Sequence, residues 1–95
     1  MSEVVVVAIA KSKEGRAEEA RALMSEVAAE SRKEDGCIAY DLHVDKNDAD
    51  RIVVLERWES QDALDHHFTL PHTAKVTESM DMLDELPQVY FCEAL

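Results

Sequence analysis

The chain has 95 residues, of which 21 are acidic and 10 basic, for a formal net charge of −11. That length is one domain whose single core is only just large enough to stand alone. Nucleic acid is excluded as a partner, because gripping a phosphate backbone needs clustered Lys and Arg, and the carboxylates read instead as a solvated surface. No cationic leader precedes an apolar run, and Val4–Val7 is too short to span a bilayer. A single domain over residues 1–95, cytoplasmic and without membrane association, is therefore expected. With no secretory signal, Cys37 and Cys92 are expected to be reduced, small and buried.

Glu3–Ala10 is a β-branched run and predicts a strand. After Gly15, apolar residues at Ala20, Leu23, Met24, Val27 and Ala28 lie opposite Arg16, Glu19, Arg21, Glu26 and Glu30. This is an amphipathic helix expected to end near Asp35-Gly36, where glycine supplies a left-handed closing residue. Cys37 to Val44 predicts a second strand, with Tyr40 on the face of Ile38 and Leu42. Asp45–Asp50 is a polar turn and Arg51–Glu59 a third strand, the two strands forming a hairpin with a longish loop. Ser60 suits the N-cap of a short helix, with Asp62 in its first turn and Pro71 stopping it. Thr73 to Asp84 predicts a further helix carrying Val76, Met80 and Leu83 on one stripe, and Val89–Ala94 a last strand. The order β-α-β-β-α-β is the split, ferredoxin-like order: an α+β domain with a four-stranded antiparallel sheet and its helices on one face.

The strands do not alternate cleanly between apolar and polar. Val4, Val5, Val6 and Val7 are apolar on both faces, and Val53 and Leu55 oppose Ile52 and Val54. With both helical units on one side, nothing in the chain covers the other. Leaving several such side chains wet forgoes roughly 1.5–3 kcal/mol each, so a homodimer with sheets packed face to face is expected.

Candidate chemistry gathers between Val53 and His72, where the only Trp and three of the four His fall at one strand-to-helix junction. His67 lies on the inward stripe of its helix, four residues after Ala63 and three after Leu64. Its ordinary pKa near 6.5 suits it to take a proton from a phenol or enol. His72, at the mouth of the next helix, either caps that helix or faces the same pocket. Trp58 is either a core aromatic or a cavity wall donating its indole N–H. Tyr40 needs a partner for a buried hydroxyl. Glu56, on a buried strand face, is either ion-paired or a base with a raised pKa. Leu64, Phe68, Val76 and Met80 are the expected apolar lining. His66 points outward and His43 is the weakest of the set. Asp62 and His66 stand one helical turn apart, but no established metal-site spacing is present and no metal is expected. With only Gly15 and Gly36 there is no phosphate-cradling loop.

Three stretches together, Glu34-Asp35-Gly36-Cys37-Ile38-Ala39-Tyr40, Glu56-Arg57-Trp58, and Ala63-Leu64-Asp65-His66-His67 with Pro71-His72, resemble the antibiotic biosynthesis monooxygenase family over nearly the whole chain. The resemblance implies a dimeric α/β barrel of ferredoxin-like protomers, a cavity between sheet and helices, and activity without flavin, haem or metal. Members resembling quinol or anthrone monooxygenases oxidise electron-rich aromatics with dioxygen. A second branch acts on the phosphorylated form of autoinducer-2, a small ketone, and would need a cation such as Arg57, Lys75 or Lys11. A haem-degrading branch uses an Asn on the first strand, which Val4–Ala10 lacks. The site reading is thus a cofactor-free monooxygenase, with His67 or His72 as base and Trp58 and Tyr40 as donors. Its alternatives are an isomerase-type enzyme and a non-catalytic ligand-binding dimer.

Overall fold

A computed structural model describes residues 3–95; Met1 and Ser2, the first residues of the expected domain, lie outside the described residues. Strand β1 (Val4–Lys11) leads to helix α1 (Ala17–Ser31), then strands β2 (Cys37–Asp45) and β3 (Asp48–Trp58). Helix α2 (Gln61–His67), a 3-10 turn at Pro71–Thr73, helix α3 (Ala74–Ser79) and a second 3-10 turn at Met80–Met82 precede strand β4 (Gln88–Glu93). The sheet is antiparallel throughout, in the order β2-β3-β1-β4. This is the ferredoxin-like α+β protomer the element order predicts.

Cross-strand register sorts the side chains. Val6 pairs with Glu56 and Glu56 with Tyr40, while Val4 pairs with Trp58, so these residues share one face. They are buried there with Val27 and Ala28 of α1 and Leu64 of α2, forming the core. The alternate residues Val5, Val7, Ile9, Val53 and Leu55 project from the opposite face. Leu55 is 40% exposed and Tyr90, beside Val7 on β4, 52% exposed. Among the described residues no helix is long and apolar enough to cross a membrane.

The structure departs from the sequence expectation at several points. Helix α1 stops at Ser31, and the chain turns through backbone bonds from Lys33 N–H to Glu30 and from Glu34 N–H to Ser31. Gly36 is left-handed (φ +87°), but it serves the entry into β2 rather than the end of α1. The loop between β2 and β3 is not long. Only Lys46 and Asn47 separate the strands, because Asp45 and Asp48 accept backbone N–H bonds from Asn47 and Asp50. These Asx contacts, with Lys11–Asp48 and Arg51–Asp45 ion pairs, let polar residues extend the ladder. A register shift between Cys37 and Ala39 takes Ile38 out of line with Tyr40, and Ile38 is 45% exposed. The expected long helix after Thr73 is only α3 and a 3-10 turn. Cys37 is half-buried and Cys92 exposed, so neither is the buried residue expected.

Candidate active site

Helix α2 begins where Ser60 Oγ accepts the Ala63 backbone N–H at 3.1 Å, the cap the sequence predicts. Its first turn packs hard against the turn that follows α1. A Cβ on Gly36 would stand 2.6 Å from that of Ala63, so only glycine permits this approach. Glu59 N–H donating to Gly36 C=O at 2.8 Å ties the end of β3 to the same turn. The consequence lies one helix length away: His67, the last residue of α2, comes to face Glu34.

Glu34 Oε2 accepts two hydrogen bonds of 2.7 Å, one from His67 Nδ1–H and one from His72 Nε2–H. A carboxylate has no proton to give, so each of these nitrogens carries the hydrogen. For His67 this leaves Nε2 as the second ring nitrogen, with its lone pair free when the ring is neutral. The Glu34 and His67 side chains are 6% and 3% exposed, and that of His72 14%. The His67 ring is clamped by Trp58, with centroids 4.6 Å apart, and by Phe68, Tyr40 and His72 at 5.4–5.9 Å.

Between the sheet and the segment from α2 to α3 lies a cavity of about 780 Å³. Tyr40, Glu56 and His67 are its titratable groups; Val6, Ala8, Met24, Val54, Phe68, Val76, Val89 and Phe91 are among its apolar ones. Glu56 has its carboxyl raised from the usual 4.5 to about 7, chiefly by burial. The Trp58 indole N–H, which donates to Glu56 Oε1 at 3.0 Å, opposes that rise, and the nearby Glu34 adds to it. Tyr40 is pushed far above the ordinary phenol range, first by burial and then by Glu56, so its hydroxyl is a proton donor at neutral pH. No described residue hydrogen-bonds that hydroxyl, which leaves it free for a ligand. The cavity is therefore apolar with three convergent proton-handling groups, the usual composition of a small-molecule site.

The family model for antibiotic biosynthesis monooxygenases matches residues 3–79. The chain belongs to the antibiotic biosynthesis monooxygenase family. A relative from Mycobacterium tuberculosis named "Putative monooxygenase Rv0793" is 42% identical over 52 residues, 55% of this chain and 50% of that protein, so the match spans half the relative's length. The solved structure of Rv0793 superimposes with a TM-score of 0.92 at 29% identity, covering 99% of this chain and 96% of that one. A structure described as an antibiotic biosynthesis monooxygenase gives 0.90 at 29% identity over 97% of this chain and 98% of that one. PA3566 from Pseudomonas aeruginosa gives 0.92 at 25% identity over 100% and 96%.

Within this family framework the structure distributes the sequence-predicted residues unevenly. Tyr40, Glu56, His67, Phe68 and Val76 line the cavity together. His72 does not line it; it reaches the site only through Glu34. Trp58 is fully buried behind the wall, and its N–H is committed to Glu56 rather than open to a ligand. Leu64 is fully buried under α2, away from the cavity. Met80 lines a smaller adjoining apolar pocket of about 120 Å³. His43 and His66 are exposed, and Asp62 and His66 form no cluster with a third ligand among the described residues. The sequence reading does not include Glu34, nor the cavity-lining Met24 of α1 and Val89 and Phe91 of β4. Glu34 had a visible signal, an acid just before the Gly36 turn, but its partners lie more than thirty residues away. Phe91, which meets Phe68 edge-on at 6.4 Å, has none, because edge-strand pairing is long-range.

Proposed function

We propose that the protein is a cofactor-independent monooxygenase that oxidises a small electron-rich aromatic compound, of the quinol or anthrone kind, with dioxygen. One observation carries the reading: His67, held in a single tautomer by Glu34, borders an apolar cavity of about 780 Å³ beside the protonated Tyr40 hydroxyl. The volume falls within the usual range for small-molecule sites.

His67 Nε2 takes the proton from a phenol or its keto tautomer, giving an electron-rich anion in an apolar pocket. Tyr40 donates to the oxyanion that forms. The anion passes one electron to dioxygen, and the resulting radical and superoxide combine into a carbon–oxygen bond. Protonation by His67 gives the hydroperoxide. Where the oxidised carbon is a CH2, loss of water leaves a new C=O, with one oxygen atom in the product and the other in water. Electrons balance without an added reductant. Glu56, near its midpoint at neutral pH, supplies or accepts the proton needed at the hydroperoxide step.

The phosphorylated-ketone reading lacks its cation. Among the described residues no Lys or Arg lines the cavity. Arg57 is paired with Glu3, Lys75 with Glu26 and Lys11 with Asp48. The active unit is proposed to be a homodimer joined through the face bearing Val5, Val7, Val53 and Leu55. Oxygen-electrode traces with a panel of quinols and anthrones should show enzyme-dependent uptake, one dioxygen per substrate, abolished in His67→Ala. Absence of uptake across the panel refutes the reading.

A further inference from the structure

We propose that Glu34, His67 and His72 form a binding site for a divalent first-row transition-metal ion, for which Zn2+ is the best-matched probe. The three come from the turn after α1, the end of α2 and the Pro71–Thr73 turn, and their ligand atoms lie within 4.8 Å of one another. Two imidazole nitrogens and one carboxylate oxygen are the donor set of zinc and iron sites, whereas Mg2+ and Ca2+ take oxygen.

A second observation points the same way. Glu34 Oε1 is buried with no hydrogen-bond partner among the described residues. An unpartnered buried acceptor costs roughly 1–3 kcal/mol, and more when charged. A cation at this carboxylate removes that deficit, and its bonds to the two ring nitrogens replace the two hydrogen bonds they now make to Glu34. The reorganisation is small. In a tetrahedral site with ligands near 2.0–2.2 Å, donor atoms stand about 3.4 Å apart. Here Oε2 is 2.7 Å from each nitrogen and all three donors lie within 4.8 Å of one another, so shifts of about 1 Å in the carboxylate and the rings admit the ion.

In a neutral imidazole, coordination moves the hydrogen now directed at Glu34 to the other ring nitrogen. Packing of His67 against Trp58 and Phe68 already fixes one ligand's plane. Three protein ligands leave the fourth position open to water, next to the cavity that His67 lines. The proposal does not rest on the oxygenase reading: a metal-bound His67 carries its hydrogen on Nε2 and cannot serve as that base, and binding measured without turnover tests the site separately.

The full chain, stripped with EDTA and dialysed, is titrated calorimetrically with ZnCl2 at moderate salt to suppress diffuse binding to the acidic surface. The site predicts one saturable Zn2+ per chain at micromolar dissociation constant or tighter. Even outer-shell losses cost metal sites about 10–100-fold, so losing a ligand should weaken binding by more than about tenfold. His72→Ala tests this on a partly exposed turn, with near-UV dichroism of Trp58 reporting an intact fold; Glu34→Gln is the second variant. His43→Ala and His66→Ala should bind as the parent does. No saturable binding, or binding unchanged in His72→Ala, overturns the proposal.

Discussion

Replacing Glu56 by Gln tests the electrostatics of the cavity directly. The Glu56 carboxyl titrates at about 7 in the folded protein against 4.5 ordinarily, with burial the main cause. Below 4.5 the group is protonated in both folded and unfolded chains and costs nothing. As the pH rises from there to 7, the unfolded chain ionises while the folded one resists, and stability falls. Above 7 the loss is complete. At 1.36 kcal/mol per pH unit it amounts to about 3 kcal/mol. Gln does not titrate, and its Oε1 still accepts the Trp58 N–H. Its amide N–H2 adds a buried donor, a penalty that is the same at every pH. The variant should therefore gain on the parent steadily between pH 4.5 and 7, by about 3 kcal/mol in all, and hold that gain at higher pH. Urea unfolding at fixed protomer concentration, repeated from pH 4 to 9, measures the difference. A difference that does not change with pH would mean that Glu56 titrates normally, and the assignment of a proton-exchanging carboxyl to the cavity would fail.

Two further outcomes follow from particular contacts. Gly36→Ala should destabilise the fold by clearly more than Gly15→Ala, measured by urea midpoints. Both glycines have positive φ, which costs a side chain roughly 1–2 kcal/mol, but a Cβ at Gly15 meets nothing within 4 Å while one at Gly36 meets Ala63 at 2.6 Å. Equal losses would show that α2 does not depend on that approach. Leu55→Lys places a charge among Val7, Val53 and Tyr90 on the uncovered sheet face; burying a leucine there is worth about 1.5–3 kcal/mol per copy. Light scattering should find the parent dimeric at micromolar concentration and the variant shifted to monomer with its protomer fold retained. A parent that is monomeric refutes the interface.

The pattern of elements was legible because it depends on local chemistry. The β-branched run at Val4–Val7, the Ser60 cap and the Gly36 turn all act within a few residues, and the ferredoxin-like order follows from them. The end of α1 was misread for a physical reason. A left-handed glycine fits both the close of a helix and the start of a strand, and nothing in residues 31–36 distinguishes these uses. That misreading hid Glu34, which on a helix face is one more solvated acid and in a turn is the acceptor for two histidines. Likewise, helical spacing put His67 inward but gave no means of telling cavity from core for Leu64 or Trp58. Those two differ only in what β1, β4 and α3 bring above them, and such contacts join residues far apart in the chain.

The histidine pair was read as two rival bases, yet the geometry makes them unequal partners of one acid. Glu34 touches both rings, and its charge also raises the proton affinity of Glu56 across the cavity wall. Two effects of one buried carboxylate then work in the same direction. It accepts the hydrogen of His67 Nδ1, which in the proposed mechanism leaves Nε2 to take the substrate proton, and it helps keep Glu56 protonated toward neutral pH, which in that mechanism keeps a donor available. A base and an acid side by side at the same pH is the condition for moving a proton onto and off one substrate without solvent. Neutralising Glu34, whether by substitution or by a cation at its oxygens, releases both constraints together, and so the turn outside the cavity governs the groups inside it.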